Sequence, residues 1–327
     1  MKKLVVIALG GNSIEKSGKG DVVEAQFRNV RSACNQIVQI IKKGYRVIVT
    51  HGNGPQIGNL LIQQKEAEKI IQPQPLDVLV AMTQGQLGYI IQRELQNELT
   101  KQKMDVPVIS LITQVLVNQG DSAFKNLSKP VGPFYSEMEA QKLAKLKGYV
   151  IKEIKPDSNK PYRRVVASPL PSEILESNVL RLLVDSGCII VACGGGGVPI
   201  IKNKVKDEFD GIEAVIDKDL SSEILAETLH ANILLILTDV KNVKLNYNKI
   251  GEKNLEQISL AEAIKYKDEG HFQTGSMGPK VDACIRFLQW GGEKAVITSL
   301  ENALDALDGK GGTIFHKYKI PIHIKNE

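Results

Sequence analysis

Two lysines stand where a helix disfavours them. In Val215-Ile-Asp-Lys-Asp-Leu-Ser-Ser, Lys218 sits between Asp217 and Asp219, ahead of a helical pattern over about 220–229. In Gly275-Ser-Met-Gly-Pro-Lys, Lys280 follows Pro279 and opens a second pattern over 281–290. The positive end of a helix dipole repels a cation, so both positions make sense when an anion shares the site. Two ammonium groups aimed at a transferring phosphoryl group would neutralise its charge in the transition state.

A second set of residues suits the same chemistry. Three apolar runs end in glycine: Gly10-Gly11-Asn12, Gly52-Asn53-Gly54 and Gly194 to Gly197. Glycine lets the backbone turn sharply and brings its N–H groups close to an anion. Any one cluster reads equally well as a tight strand-to-helix turn. The three together point to a site for a phosphate chain and its acceptor. There is no G-x-x-x-x-G-K-[ST], no G-x-G-x-x-G after the first strand and no H-R-D or D-F-G set. P-loop and protein-kinase readings therefore fall away, and a dinucleotide-binding reading has little to rest on. His51 has no Ser or Cys partner identifiable from sequence and reads as an orienting or structural residue. His230, His271, His316 and His323 lack metal-ligand spacing.

The elements that must position these residues repeat one theme. Residues 4–9 form an apolar strand, and a helical pattern over 22–43 follows, stopped by Gly44. A strand over 46–50, a helix from Pro55 to about residue 70, a helix over 76–101 and a strand over 106–117 come next. Further strands are expected over 188–193, 233–237, 295–298 and 313–315. Apolar strands alternating with amphipathic helices indicate a mainly parallel sheet covered on both faces. Its strand ends lie on one edge, where ligands bind. Residues 118–168 break the rhythm with four prolines and many lysines. The helical pattern over 136–147 marks this stretch as a structured excursion, a lid or protruding subdomain.

Composition narrows the function classes. The chain has 327 residues, 43% hydrophobic and 24% charged, enough for a large core. Aromatics are only 5%, against a stacking platform for single-stranded nucleic acid. The net charge of +5 is local: residues 118–168 hold ten basic and five acidic side chains, and the rest is balanced. That argues against a nucleic-acid footprint. Cys34, Cys188, Cys193 and Cys284 form no C-x-x-C pair and read as buried, reduced thiols of a cytoplasmic protein. The opening apolar run of six residues is too short for a signal peptide. The uncharged stretch 187–201 carries five glycines and a proline, and no membrane span is expected.

The motifs together resemble those of carbamate kinases, in the amino acid kinase superfamily, over essentially the whole chain. The carrying segments are Ala8-Leu-Gly-Gly-Asn-Ser, Thr50-His-Gly-Asn-Gly-Pro-Gln-Ile-Gly-Asn-Leu, Ala81-Met-Thr-Gln-Gly, Phe124-Lys-Asn, Lys129-Pro-Val-Gly-Pro-Phe, Cys193-Gly-Gly-Gly-Gly-Val-Pro, Glu213-Ala-Val-Ile-Asp-Lys-Asp and Gly275-Ser-Met-Gly-Pro-Lys. The resemblance implies a three-layer αβα sandwich with a mainly parallel central sheet and a protruding lid subdomain over about 118–168. It implies one domain over 1–327, with a carbamate-side lobe over 1–185 and a nucleotide-side lobe over 186–327.

The same resemblance implies phosphoryl transfer between ATP and carbamate with Mg²⁺, in a cytoplasmic homodimer, often in arginine or ureide breakdown. It gives Lys218, Lys280, Asp219 and the lid's Lys125 catalytic roles. Gly10, Gly11, Asn12, Gly52 and Asn53 become the cradle for carbamate and the phosphoryl group. Gly194, Gly195, Gly196 and Gly197 fall beside the nucleotide phosphates; Thr238, Asp239, Tyr247 and Met277 fall at the adenine, with Lys280 shared. No metal ligand is implied. Two departures stand out: Leu127-Ser128 where many members have Pro-Thr, and Asp239 where some have glycine. The alternatives are another carboxylate kinase of the superfamily or a non-catalytic nucleotide-binding regulator.

Overall fold

The computed structural model describes residues 2–11, 22–203, 205–272 and 277–318. Asn12, Gly275, Ser276 and His323 lie outside the described residues. β1 (Leu4–Leu9) is buried at every position. It is followed by α1 (Val22–Lys42), β2 (Arg46–His51), α2 (Gly54–Ala67) and α3 (Leu76–Lys101). The strand expected over 106–117 is two: β3 (Val108–Ser110) and β4 (Gln114–Val117), which join different sheets. The break has a cause on α3. The buried Gln84 amide takes the Thr113 N–H at 2.8 Å and donates to the Thr113 carbonyl at 3.2 Å. The Thr113 N–H is then withheld from a continuous ladder, while its carbonyl also accepts from the Val198 N–H of the second sheet at 2.9 Å.

The excursion is structured. β5 (Lys129–Tyr135), β7 (Tyr162–Val166) and β6 (Ile151–Glu153) make an antiparallel sheet beside α4 (Glu137–Lys147). Ser136 and Glu139 cap α4 reciprocally, and Gly148 ends it in the left-handed conformation. β8 (Pro171–Ile174), α5 (Ser177–Asp185), β9 (Ile189–Val191), β10 (Val198–Asn203) and β11 (Glu208–Gly211) follow. The β10–β11 hairpin joins β4 and β8 in a second, four-stranded sheet that the sequence pattern does not announce.

The rest of the chain returns to the main sheet. It runs through α6 (Lys218–Thr228), β12 (Ile233–Thr238), the short pair β13 (Lys244–Leu245) and β14 (Lys253–Asn254), and β15 (Gln257–Ser259). α7 (Leu260–Asp268), α8 (Met277–Trp290), β16 (Lys294–Ser299), α9 (Ala303–Leu307) and β17 (Thr313–His316) complete it. The main sheet has the order β15-β17-β16-β12-β1-β2-β9-β3. Its neighbours are parallel except β16 and β17.

The three layers follow from β1 itself. Leu4, Val6 and Ala8 share one core with Leu225 of α6 and Val281 and Phe287 of α8. Val5, Ile7 and Leu9 share the other with Val30 and Ile37 of α1 and Leu87 and Leu95 of α3. Alternating side chains of a strand covered on both faces must be apolar throughout, as β1 is. The αβα sandwich with its protruding subdomain is therefore present. Among the described residues no helix is long and apolar enough to cross a membrane.

Candidate active site

The ends of β1, β2 and β12 and the start of α6 open onto one cleft of about 360 Å³. Gly10 and Gly11 come from β1, Gly52 and Asn53 from β2, and Thr238 and Asp239 from β12. The ladder continues into the glycines: Gly10 N–H donates to the Leu237 carbonyl, and Gly52 N–H to the Leu9 carbonyl, both at 3.0 Å. Gly52 leaves little room for a side chain. A Cβ there would lie 3.1 Å from the Gly11 nitrogen and 3.3 Å from the Lys218 stem. The close approach of these two turns is what the glycine permits.

α6 starts at the cleft. Asp217 caps it, accepting the Asp219 N–H at 2.9 Å. The cap is also gripped from the excursion, since Lys129 Nζ donates to Asp217 Oδ2 at 2.9 Å. Burial alone would raise the Asp217 carboxyl, but Lys129, Lys218 and the Asp219 N–H outweigh it and hold it below its ordinary value. Next in sequence, Asp219 is 2% exposed and holds two lysines. One oxygen pairs with Lys218, and the other accepts from Lys280 Nζ at 3.2 Å. Lys280 itself, in the first turn of α8, is 6% exposed.

The local arrangement is braced. Ser222 Oγ donates to the Lys218 carbonyl at 2.6 Å and so accepts from Thr50 Oγ1, also at 2.6 Å, tying α6 to β2. One turn beyond Asp219 on α6, buried Glu223 accepts from Arg286 of α8 at 3.1 Å. Desolvation, with Glu227 beside it, pushes the Glu223 carboxyl up to about 8 despite that arginine. The two helices that carry the lysines are thus joined at two levels.

Around the cleft, three ammonium groups (Lys129, Lys218, Lys280) meet the two carboxylates Asp217 and Asp219. With Asp239, which also lines the cleft, the formal charges balance, and the helix N-terminus and the glycine backbone N–H groups add positive potential there. The cleft is built to receive an anion. His51 is buried and does not line the cleft. Burial lowers it to about 4; the Gly52 carbonyl opposes that shift and Lys218 adds to it, so the ring is neutral. Its Nδ1 lies 3.1 Å from the Gly52 carbonyl, which makes it a packing and orienting residue.

Of the residues expected at the site, Gly10, Gly11, Gly52, Asn53, Gly195, Lys218, Asp219, Lys280, Thr238 and Asp239 line this cleft. Gly194, Gly196 and Gly197 are buried next to Gly195 but do not line it. Their place is set by packing: a Cβ on Gly194 would meet the His51 ring at 2.3 Å, and one on Gly197 would meet Val115 at 2.2 Å. Tyr247 is half exposed beyond β13, and Met277 packs against the core under α8; neither lines the cleft. Lys125 is exposed at the end of a short turn over Ser122–Phe124 and stays outside. From the same excursion Lys129 enters instead, although the sequence reading gave it no role. Its signal was present, because it begins the Lys129-Pro-Val-Gly-Pro-Phe segment. The cap role of Asp217 was likewise legible as an acidic residue just before a helix.

The family profile described as "Amino acid kinase family" matches residues 3–299. The chain belongs to the amino acid kinase family. Within it, the full-length likeness is to carbamate kinases. The carbamate kinase of Thermococcus kodakarensis is 51% identical over 314 residues, covering 95% of this chain and 98% of that one. That of Pyrococcus furiosus is 49% identical over 315 residues, covering 96% and 99%. The structure of the Giardia lamblia carbamate kinase bound to AMP-PNP superposes with a TM-score of 0.90 at 42% identity, covering 96% of this chain and 98% of that one. For an amino acid kinase, phosphoryl transfer is the chemistry that a lysine-rich, glycine-walled cleft of this kind serves.

Proposed function

We propose that this chain is an enzyme that transfers a phosphoryl group between ATP and carbamate, giving ADP and carbamoyl phosphate. The observation that carries the reading is Asp219 holding Lys218 and Lys280 together over the glycine turns of the cleft. The carbamate oxygen that attacks is already anionic, so no general base is needed, and His51, buried and outside the cleft lining, supplies none. Transfer is direct and in line, without a covalent enzyme intermediate. The chain's part is to position the two substrates and neutralise the charge that moves between them.

Each residue has a task. Lys218 and Lys280 face the transferring group, and Asp219 keeps their ammonium groups at fixed positions. Backbone N–H groups at Gly10, Gly11 and Gly52, with Asn53, hold carbamate; Asn12 and Lys125 are proposed beside them. Lys129 closes the excursion over the site through Asp217. Gly194–Gly197, Thr238, Asp239, Tyr247 and Met277 are proposed on the nucleotide side. The nucleotide half is the C-terminal lobe over 186–327 and the carbamate half the N-terminal lobe over 1–185, within a single domain.

The donor set suits a magnesium ion that arrives with the nucleotide. Among the described residues there is no cluster of three His, Cys, Asp or Glu to cage a metal. Asp217 and Asp219 are already engaged by lysines. Magnesium needs only one or two carboxylates besides phosphate oxygens, and the carboxylates lining the cleft, Asp217, Asp219 and Asp239, are where it would find them. When bound, it supplies charge neutralisation on the phosphates. The homodimer is supported by an exposed apolar stripe on α3, namely Val78, Met82 and Tyr89, with Ile112 beside it. A cytoplasmic role in arginine or ureide breakdown, run toward ATP, completes the proposal.

The alternative of another carboxylate kinase is tested by ADP release from ATP and Mg²⁺ with a panel of acceptors. Carbamate, supplied as its ammonium salt, is expected to drive ADP release, whereas glutamate, N-acetylglutamate and aspartate leave the background unchanged. Faster release with any of those amino acids would overturn the choice of acceptor.

A further inference from the structure

Carbamate differs from acetate by an amino group where acetate has a methyl. The cleft is rich in donors: lysine ammonium groups and glycine N–H groups. These suit the carboxylate and phosphoryl oxygens and offer nothing to an N–H. Reading the amino group requires an acceptor, preferably uncharged, since a free carboxylate would repel the anion.

Asn53 is the one side-chain amide among the described residues that line the cleft, and its orientation is fixed by its neighbour. Thr83 on α3 is fully buried, and its hydroxyl donates to the Val80 carbonyl at 2.7 Å. A hydroxyl has one hydrogen, so Thr83 Oγ1 can only accept from Asn53, 2.8 Å away. The amide group next to Thr83 is therefore the NH₂, and the oxygen points elsewhere. Asn53 is also the residue that opens α2, where an asparagine oxygen usually caps the helix, yet its side chain makes no cap bond. No hydrogen bond to Asn53 Oδ1 is present among the described residues. The amide plane lies against Gly195, whose left-handed φ of +67° and missing Cβ leave room for it; a Cβ there would come 2.1 Å from Asn53 Nδ2. The amide is clamped on one side by Thr83 and on the other by a glycine.

We propose that Thr83 and Gly195 hold the Asn53 amide with its oxygen toward the substrate, where it accepts a hydrogen bond from the amino group of carbamate or carbamoyl phosphate. This rests on the phosphoryl-transfer reading above and names the group that selects its acceptor. Asn53 is then the specificity residue, and Thr83 a positioning residue that acts through it. A site that hydrogen-bonds a substrate N–H discriminates against the isostere that lacks it, because the buried acceptor is left unpaired.

The test is the ratio of kcat/KM for carbamoyl phosphate to that for acetyl phosphate, read as ATP formed from ADP and Mg²⁺. Thr83→Val removes the acceptor that orients the amide and is expected to lower this ratio about tenfold. Thr83→Ser keeps the hydroxyl and keeps the ratio. Asn53→Ala, which removes no cap bond, is expected to lower the ratio by at least as much as Thr83→Val. A purely structural role would depress both substrates together. A ratio within twofold of the parent in both Thr83→Val and Asn53→Ala overturns the assignment, while parent turnover of carbamoyl phosphate leaves the underlying function standing. A parent protein that makes no ATP from carbamoyl phosphate overturns both.

Discussion

Replacing Lys280 by alanine is expected to lower kcat about a hundredfold or more while the protein stays folded. The ammonium group reaches the cleft from the first turn of α8 and is fixed by Asp219 Oδ2 at 3.2 Å. It is therefore preorganised, and its effect on the barrier needs no rearrangement at the moment of transfer. Because Asp219 keeps Lys218 as a partner, removing Lys280 does not strand a buried carboxylate. Folding stability should fall modestly, while the chemical step falls steeply. Steady-state kinetics together with a urea melt separate the two. An unchanged kcat in a folded Lys280→Ala protein would take this lysine out of the mechanism.

Replacing Asp219 by alanine reverses that balance. Asp219 is 2% exposed and is the counter-charge shared by two lysines. Its loss leaves Lys218 and Lys280 facing each other with Asp217, already held by Lys129, as the nearby carboxylate. Removing one partner from a buried ionic group costs about 3–5 kcal/mol. The variant is expected to lose stability on that scale and nearly all activity, since neither ammonium keeps its position. A diagnostic accompanies the loss. An anion in the cleft replaces the missing charge, so inorganic phosphate should raise the melting temperature of Asp219→Ala more than that of the parent. A variant as stable as the parent, with no added response to phosphate, would show that Asp219 does not hold the lysines together.

The main sheet was legible because burial on both faces leaves β1 and β12 uninterruptedly apolar, a pattern few other structures require. The lysine pair was legible for an electrostatic reason: Lys218 and Lys280 open helices whose dipoles disfavour them. What could not be read was set by contacts distant in sequence. The split of residues 106–117 into β3 and β4 depends on Gln84 of α3. The choice of Lys129 over Lys125 depends on the path of the excursion, which brings Lys129 to Asp217, 88 positions further along. Four consecutive glycines offer no side chains of their own to a core. In the structure they are tightly packed, and Gly195 touches Asn53 while Gly194 touches His51. Local pattern records which face is buried; it does not record which partner arrives there.

The most direct test of the account is ATP formation by the purified protein from ADP, Mg²⁺ and carbamoyl phosphate, with acetyl phosphate run in parallel. Rapid ATP release with carbamoyl phosphate and much slower release with acetyl phosphate is the predicted result. No ATP from either compound, from protein that still binds ADP tightly, would contradict it and leave the lysine cleft as a nucleotide-binding site without this chemistry.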